Sequence, residues 1–226
     1  MSPRTGRPVE VAEVRDPAQL RALHAAILVP SFPPEELESG DAMAEALASG
    51  TVVAMAASSD DEPVGLAVGA WDPATSVLLL SYLAIGAAGR GGGVGGTLLE
   101  SALAHWRAQL DPLVVLAEIE DPAQHAGSPE HGDPAARERF YLRRGARRLP
   151  LAYEQPSLAP GLPRVGGMLL LALAVRPSVV APDDAWHLPT TPLRDFLVGY
   201  FERSEGKAPD DEMLAPLAVS TLVLRS

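Results

Sequence analysis

Valines alternate with polar residues at Val9, Val11 and Val14, which predicts a first β-strand. Asp16-Pro17 then supplies a helix cap and a first-turn proline, opening a helix to about residue 29. The breaker Pro30-Ser31-Phe32-Pro33-Pro34 separates it from a second helix over 35–48, apolar at Leu37, Met43 and Leu47 and closed by Gly50. Three strands follow in succession, at 51–57, 64–71 and 77–85, with short polar turns that predict an antiparallel meander. A glycine-rich stretch leads from the third of these into a helix at about 97–106, where Leu99, Leu103 and Trp106 recur at helical spacing as core residues. After the break at Asp111-Pro112, residues 113–119 read as a strand parallel to its predecessor, because a helix connects them. An exposed loop spans 120–133, and a helix over 135–144 is stopped by Gly145. Two final strands, 147–153 and 167–175, are joined by a proline-rich segment over 155–164. Beyond them Thr191-Pro192 opens a helix to about residue 204, and the apolar tail 210–226 fits either helix or strand.

Composition narrows the class. The chain has 226 residues, 47% of them hydrophobic, enough for a buried core and too many for a disordered protein. No apolar run reaches the roughly 20 residues that span a bilayer, and the first eight residues lack a signal peptide's apolar core, so the expectation is a cytoplasmic protein with no membrane partner. Cysteine is absent, which excludes disulfides, thiolate nucleophiles and a Cys-linked acyl intermediate. A net charge of −11 argues against nucleic-acid binding. The arginines from Arg137 to Arg148 form a local basic cluster, read as a solvated face. The five histidines show no metal-ligand spacing, so no metal is expected.

The glycine-rich stretch carries the candidate chemistry. A strand, a glycine loop and a helix start, in that order, present backbone N–H groups and a helix N-terminus to an anion. A P-loop is ruled out, since Gly96 is followed by Thr97 and Leu98 with no lysine nearby. A dinucleotide fingerprint is met by Gly91, Gly93 and Gly96, with Glu118 about 20 residues on. The spacer from Gly86 to Arg90 and the preceding meander make NAD binding the lesser alternative.

Arg90-Gly91-Gly92-Gly93-Val94-Gly95 matches the Q/R-x-x-G-x-G/A signature of the GNAT superfamily of N-acetyltransferases, with Ile85 placed to close the fourth strand. Phe140-Tyr141-Leu142-Arg143-Arg144-Gly145-Ala146 resembles that family's later Tyr-x-x-x-Gly-Phe segment, with Ala146 in place of the usual aromatic. The element order from residue 9 to 175, β-α-α-β-β-β-α-β-α-β-β, is also that family's. The resemblance implies an α/β (α+β) fold: a mixed, mostly antiparallel sheet with splayed fourth and fifth strands and helices on both faces. It places the acyltransferase domain at residues 1–176. The segment 177–226 exceeds that core and is expected to pack on the same domain, as a cover for the cleft or a homodimer contact.

The same resemblance implies acetyl-CoA as co-substrate. Its pyrophosphate would lie on Arg90, Gly91, Gly92, Gly93, Val94, Gly95, Gly96 and Thr97, and its pantetheine arm along Leu83, Ala84 and Ile85. Acetyl transfer to an amine needs a base for the ammonium, a donor for the oxyanion and a proton for the departing thiolate. Glu118 is the candidate base, with Glu120 in reserve; the alternative for Glu118 is a solvated carboxylate. Tyr141 stands where the family places the acid that protonates CoA sulfur and also lines the CoA site; the alternative is an aromatic that packs its helix. The expected function is an N-acetyltransferase acting on a primary amine of a small molecule or peptide by direct attack in a ternary complex. A non-catalytic acetyl-CoA-binding sensor is the second possibility. By the family's pattern the acceptor is selected by residues 16–48 and 155–164.

Overall fold

The computed structural model describes residues 8–90, 92–127, 132–157 and 163–225. The fold is mixed α/β, with mostly antiparallel strands, one parallel pair, and helices. It divides into two compact units: residues 1–71 with 80–109, and residues 72–79 with 110–226. The segment 177–226 belongs to the second of these.

In the first unit, β1 (Glu10–Val14) pairs antiparallel with β2 (Val52–Ser59), and β2 with β3 (Glu62–Asp72), placing Val14 opposite Ala54 and Ala54 opposite Val68. β4 (Val77–Ile85) continues the order. The helix α1 (Pro17–Leu23) is capped by Asp16, whose carboxylate accepts from Ala18 N–H at 2.9 Å. It does not run on as α-helix to residue 29. Its last turn, His24–Leu28, is a π-turn closed by Val29 N–H on the His24 carbonyl, at 3.0 Å. The second helix also starts later than its pattern predicts. Pro34–Glu36 form a 3₁₀ turn, and α2 (Gly40–Ser49) begins only at Ser39, whose hydroxyl accepts from Ala42 N–H at 3.2 Å. The serine cap, rather than the acids at 35 and 36, sets that boundary. Leu20, Leu28, Met43, Leu66 and Val68 form the core between these helices and the sheet. α3 (Val94–Leu110) follows the glycine loop, three residues earlier than expected, with Trp106 buried at 1% exposure.

In the second unit, β5 (Val114–Glu120) lies antiparallel to β8 (Val165–Val175), with Glu118 opposite Leu170. α4 (Pro134–Leu142) lies between them in the chain and packs against β5. The expected strand 147–153 is two short strands, β6 (Arg147–Arg148) and β7 (Tyr153–Gln155), each paired with β8. Pro150 interrupts it, because proline has no N–H to give the ladder. The stretch after residue 177 holds a strand that its pattern did not reveal, β9 (Trp186–Pro189), followed by α5 (Thr190–Glu205) and α6 (Asp211–Leu214). The tail is helix first and strand after: beyond α6, β10 (Thr221–Leu224) pairs antiparallel with β9.

Arg147 corrects the reading of the arginine cluster as a solvated face. It is buried, at 5% exposure. Its Nη1 donates to the Leu224 carbonyl at 2.8 Å, its Nη2 meets Asp184 at 2.7 Å, and its guanidinium lies 4.1 Å from the Trp186 ring centre. One side chain thereby fastens the β9–β10 hairpin. Arg147→Ala removes a buried charge-assisted bond and a ring contact, and is expected to lower stability by about 2 kcal/mol in urea unfolding.

Candidate functional site

The glycine loop is shaped by a crowded approach just before it. Gly86 N–H donates to the Val64 carbonyl at 2.9 Å, and Gly89 closes a 3₁₀ turn (Ala87–Gly89) over the same strand. A Cβ on Gly89 would stand 3.0 Å from that carbonyl oxygen and 3.0 Å from Ile85 Cγ2. Any larger residue would have to push these neighbours back by a few tenths of an ångström. Arg90 then turns back, its Nε donating to the Ile85 carbonyl at 3.3 Å, and Gly93 takes the left-handed region at φ +78°. α3 starts there, with Gly96 and Thr97 N–H both reaching the Gly93 carbonyl, at 3.0 and 3.2 Å. The first N–H groups of an α-helix, here from Val94 and Gly95 on, have no acceptor within the helix itself. Gly92 and Gly93 are exposed. Such a turn can receive an anion through backbone alone. Gly91 lies outside the described residues.

At the end of β4, Leu83 and Ile85 are partly buried and Ala84 is buried. Gly65 of β3 passes close behind: a Cβ there would meet Ile85 Cδ1 at 2.8 Å and the Ala84 carbonyl oxygen at 3.3 Å. One residue earlier, the Tyr82 hydroxyl accepts from Glu38 N–H at 3.1 Å and donates to the Glu36 carbonyl at 3.3 Å. Phe32 meets the Tyr82 ring edge-on, with centroids 5.2 Å apart, and His24 Nε2 lies 2.8 Å from the Glu38 carbonyl. Residues 32–38 are thus tied to β4 and to the π-turn.

In the second unit, Glu118 is the centre of a polar cluster. Tyr153 donates to Oε1, Gln155 Nε2 donates to Oε2 at 3.1 Å, and Tyr200 donates to Oε2 at 3.4 Å. Tyr153 and Gln155 sit two apart on β7, so strand alternation sends both toward the same carboxylate. Tyr200 comes from α5, stacked on Phe196 at 5.9 Å between centroids. Burial pushes the Glu118 carboxyl up to about 7, and the three donors oppose that without overcoming it. Burial, with the Glu118 charge beside it, holds the Tyr153 hydroxyl well above its ordinary value.

Glu118 is therefore partly buried and held by three side chains rather than solvated on the strand. The residues that hold it were not among the expected site residues. The Tyr-x-Gln alternation at 153–155 was a visible signal, whereas Tyr200 is distant in sequence and had none. Tyr141 is buried on α4, edge-on to Phe140 at 5.1 Å, and burial pushes its hydroxyl up to about 12. The reserve carboxylate Glu120 is taken up by Arg137 Nη1 at 3.1 Å.

The segment that begins at 155 is anchored at both flanks by one residue. Ser157 N–H and Arg164 Nε each reach Glu205 Oε1, at 2.9 and 3.0 Å, and Arg164 Nη1 reaches Asp210 at 2.8 Å. The Arg164 guanidinium lies 4.9 Å from the Phe201 ring centre. The Arg164 bond holds Glu205 below the usual carboxylate range. Among the described residues, no group of three His, Asp or Glu side chains is arranged to hold a metal ion, and no helix is long and apolar enough to cross a membrane.

Comparison with solved structures decides the fold. A protein assigned to the GNAT acetyltransferase family from Bacteroides thetaiotaomicron superposes with a TM-score of 0.56 at 23% identity, over 72% of this chain and 85% of its own. The spermidine N-acetyltransferase of Vibrio cholerae gives 0.54 at 12% identity, over 74% of this chain and 94% of its own. A GNAT-family protein from Desulfovibrio desulfuricans gives 0.50 at 20%, over 74% and 100%. This chain has the GNAT fold. No protein-family model matches it, and no curated protein matches it in sequence. The GNAT fold accounts for the order of elements through β8, and its known members among these structures are acetyltransferases.

Two outcomes are expected. Gly89→Ala forces its methyl against a carbonyl already engaged by Gly86, so it lowers stability by about 1–2 kcal/mol, read by urea unfolding. For Glu118, a carboxyl near 7 when folded and 4.5 when unfolded binds its proton more tightly in the native state. Its contribution is full below about pH 4.5 and is lost as pH rises to 7, on the order of 3 kcal/mol in all. Urea unfolding at pH 5 and pH 8 shows that decline in the parent protein, and Glu118→Gln flattens it.

Proposed function

We propose that the protein is an N-acetyltransferase that moves an acetyl group from acetyl-CoA to a primary amine by direct attack in a ternary complex. The observation that supports this best is Glu118: a carboxylate held in place by three donors and titrating near neutrality, on a GNAT fold. A general base works best when its pKa lies near the operating pH. A lysine-like ammonium titrates near 10.4 and must lose a proton before it attacks. Glu118 would take that proton, directly or through one water, from the acceptor nitrogen.

The turn over residues 90–97 would hold the CoA pyrophosphate with backbone N–H groups and the positive end of α3. Its exposed glycines leave room for the ligand, and the Arg90 side chain, bonded to Ile85, closes the turn rather than reaching outward. The backbone of Leu83, Ala84 and Ile85 would pair with the pantetheine arm, and the fourth-strand backbone would supply the donor for the tetrahedral oxyanion. Tyr141 stays a neutral phenol throughout the physiological range, as its raised pKa requires, so it can offer its proton to the departing sulfur. Atoms balance: the amine nitrogen bonds the acetyl carbon, the C–S bond breaks, Tyr141 gives sulfur its proton, and the second proton shed by the nitrogen restores the Tyr141 hydroxyl. The ammonium's proton leaves by Glu118.

The lack of cysteine makes the test clean, since every thiol that appears in the assay is CoA. Acetyl-CoA with a panel of diamines, polyamines and free N-terminal peptides is expected to release thiol only when an amine is present. Binding of acetyl-CoA without thiol release on any amine would instead support the sensor reading. With a turned-over amine, kcat/KM is expected to rise with pH through an inflection near 7, the deprotonation of Glu118. Glu118→Gln removes that inflection and lowers kcat by about a hundredfold or more, and Tyr141→Phe lowers kcat by about tenfold with KM for acetyl-CoA little changed.

A further inference from the structure

The three donors to Glu118 are not equivalent once the carboxylate has accepted a proton. A protonated carboxyl must donate, and all three neighbours now point hydrogens at it. One of them has to turn and become an acceptor. Gln155 approaches with its amide nitrogen; turned over, its amide oxygen could accept, but an amide does not pass a proton on to water as a hydroxyl does. Tyr153 is enclosed, at 3% exposure, and is the closest of the three to the carboxylate. Tyr200 makes the longest bond, at 3.4 Å, and is partly exposed on α5. Of the two tyrosines beside the carboxylate, Tyr200 is the one that stands partly open to water.

We propose that Tyr200 is the positioning residue through which the proton taken up by Glu118 returns to solvent. The inference rests on the role proposed for Glu118. In the step, Glu118 O–H donates to the Tyr200 oxygen while the Tyr200 hydroxyl proton passes to water. The Glu118 O–H bond breaks, the Tyr200 oxygen gains one O–H bond and loses another, a water gains one, and the net change is a proton moved from the carboxyl to solvent. The groups that face Glu118 are Tyr153 and Gln155 from β7 and Tyr200 from α5, with Leu170 of β8 beside it in the sheet. At the end of α5, Glu205 is engaged by Arg164 from just before β8, which also reaches Asp210. The C-terminal helix thereby becomes part of the site instead of a cover over it.

The test compares Tyr200→Phe, Tyr153→Phe and the parent protein with an amine that turns over. Tyr200→Phe keeps the ring stacked on Phe196, so its Tm is expected within about 2 °C of the parent. It should lower kcat three- to tenfold, move the acidic limb of kcat to higher pH, and make the rate rise with the concentration of a tertiary-amine buffer, which can carry protons but cannot be acetylated. The parent and Tyr153→Phe should show no such buffer dependence. If Tyr200→Phe keeps the parent's pH profile and ignores buffer, or if buffer rescues Tyr153→Phe instead, the inference is overturned while the acetyltransferase reading stands. If the parent releases thiol with no amine at all in the panel, the reading beneath it fails first. Should Tyr200→Phe unfold, 3-fluorotyrosine at position 200 keeps ring and hydroxyl while lowering the phenol pKa. A changed acidic limb then supports the inference, and an unchanged one overturns it.

Discussion

A carboxylate removed from water must be given back its hydrogen bonds by the protein, and in the second unit the arrangement around Glu118 follows from that requirement. β7 is only three residues long, yet its two alternate side chains, Tyr153 and Gln155, both end on Glu118. α5 brings a third donor from 82 residues away in sequence. Desolvation still exceeds the sum of these bonds, which leaves the group titrating near 7 rather than near 4.5. Stability and chemistry pull in opposite directions here. The charged form is the less stable in the fold, and it is the form a general base needs.

The first unit works by a different constraint, closeness of backbone. Gly65 and Gly89 let two stretches of chain pass within a methyl's width of Ile85, Val64 and Ala84. That proximity sets the path into the exposed turn at 92–93 and the start of α3.

Much of this was legible in the sequence, and the parts that were not share a cause. The meander, the loop helix and the strand carrying Glu118 announce themselves through local periodicity and turn residues, and the glycine loop through its composition. Boundaries set by a single cap were misread: α2 begins at Ser39, not at residue 35. The split between β6 and β7 could have been taken from Pro150 alone. β9 is four residues long and is defined by its partner β10, 32 positions or more downstream, so no local pattern could declare it. Arg147 looked like one more surface arginine because its partners, Asp184, Trp186 and Leu224, lie in that same hairpin. The candidate base was found from its place near a strand end, and its surroundings were not, since they depend on contacts between distant segments.

The fastening of Ser157 and Arg164 to the single carboxylate of Glu205 has a consequence for the segment between them. Where the segment starts and ends is set by one residue outside it, Glu205 of α5. Lengthening such a segment carries only a slowly growing entropic cost. A change at Glu205 alone would loosen both ends at once.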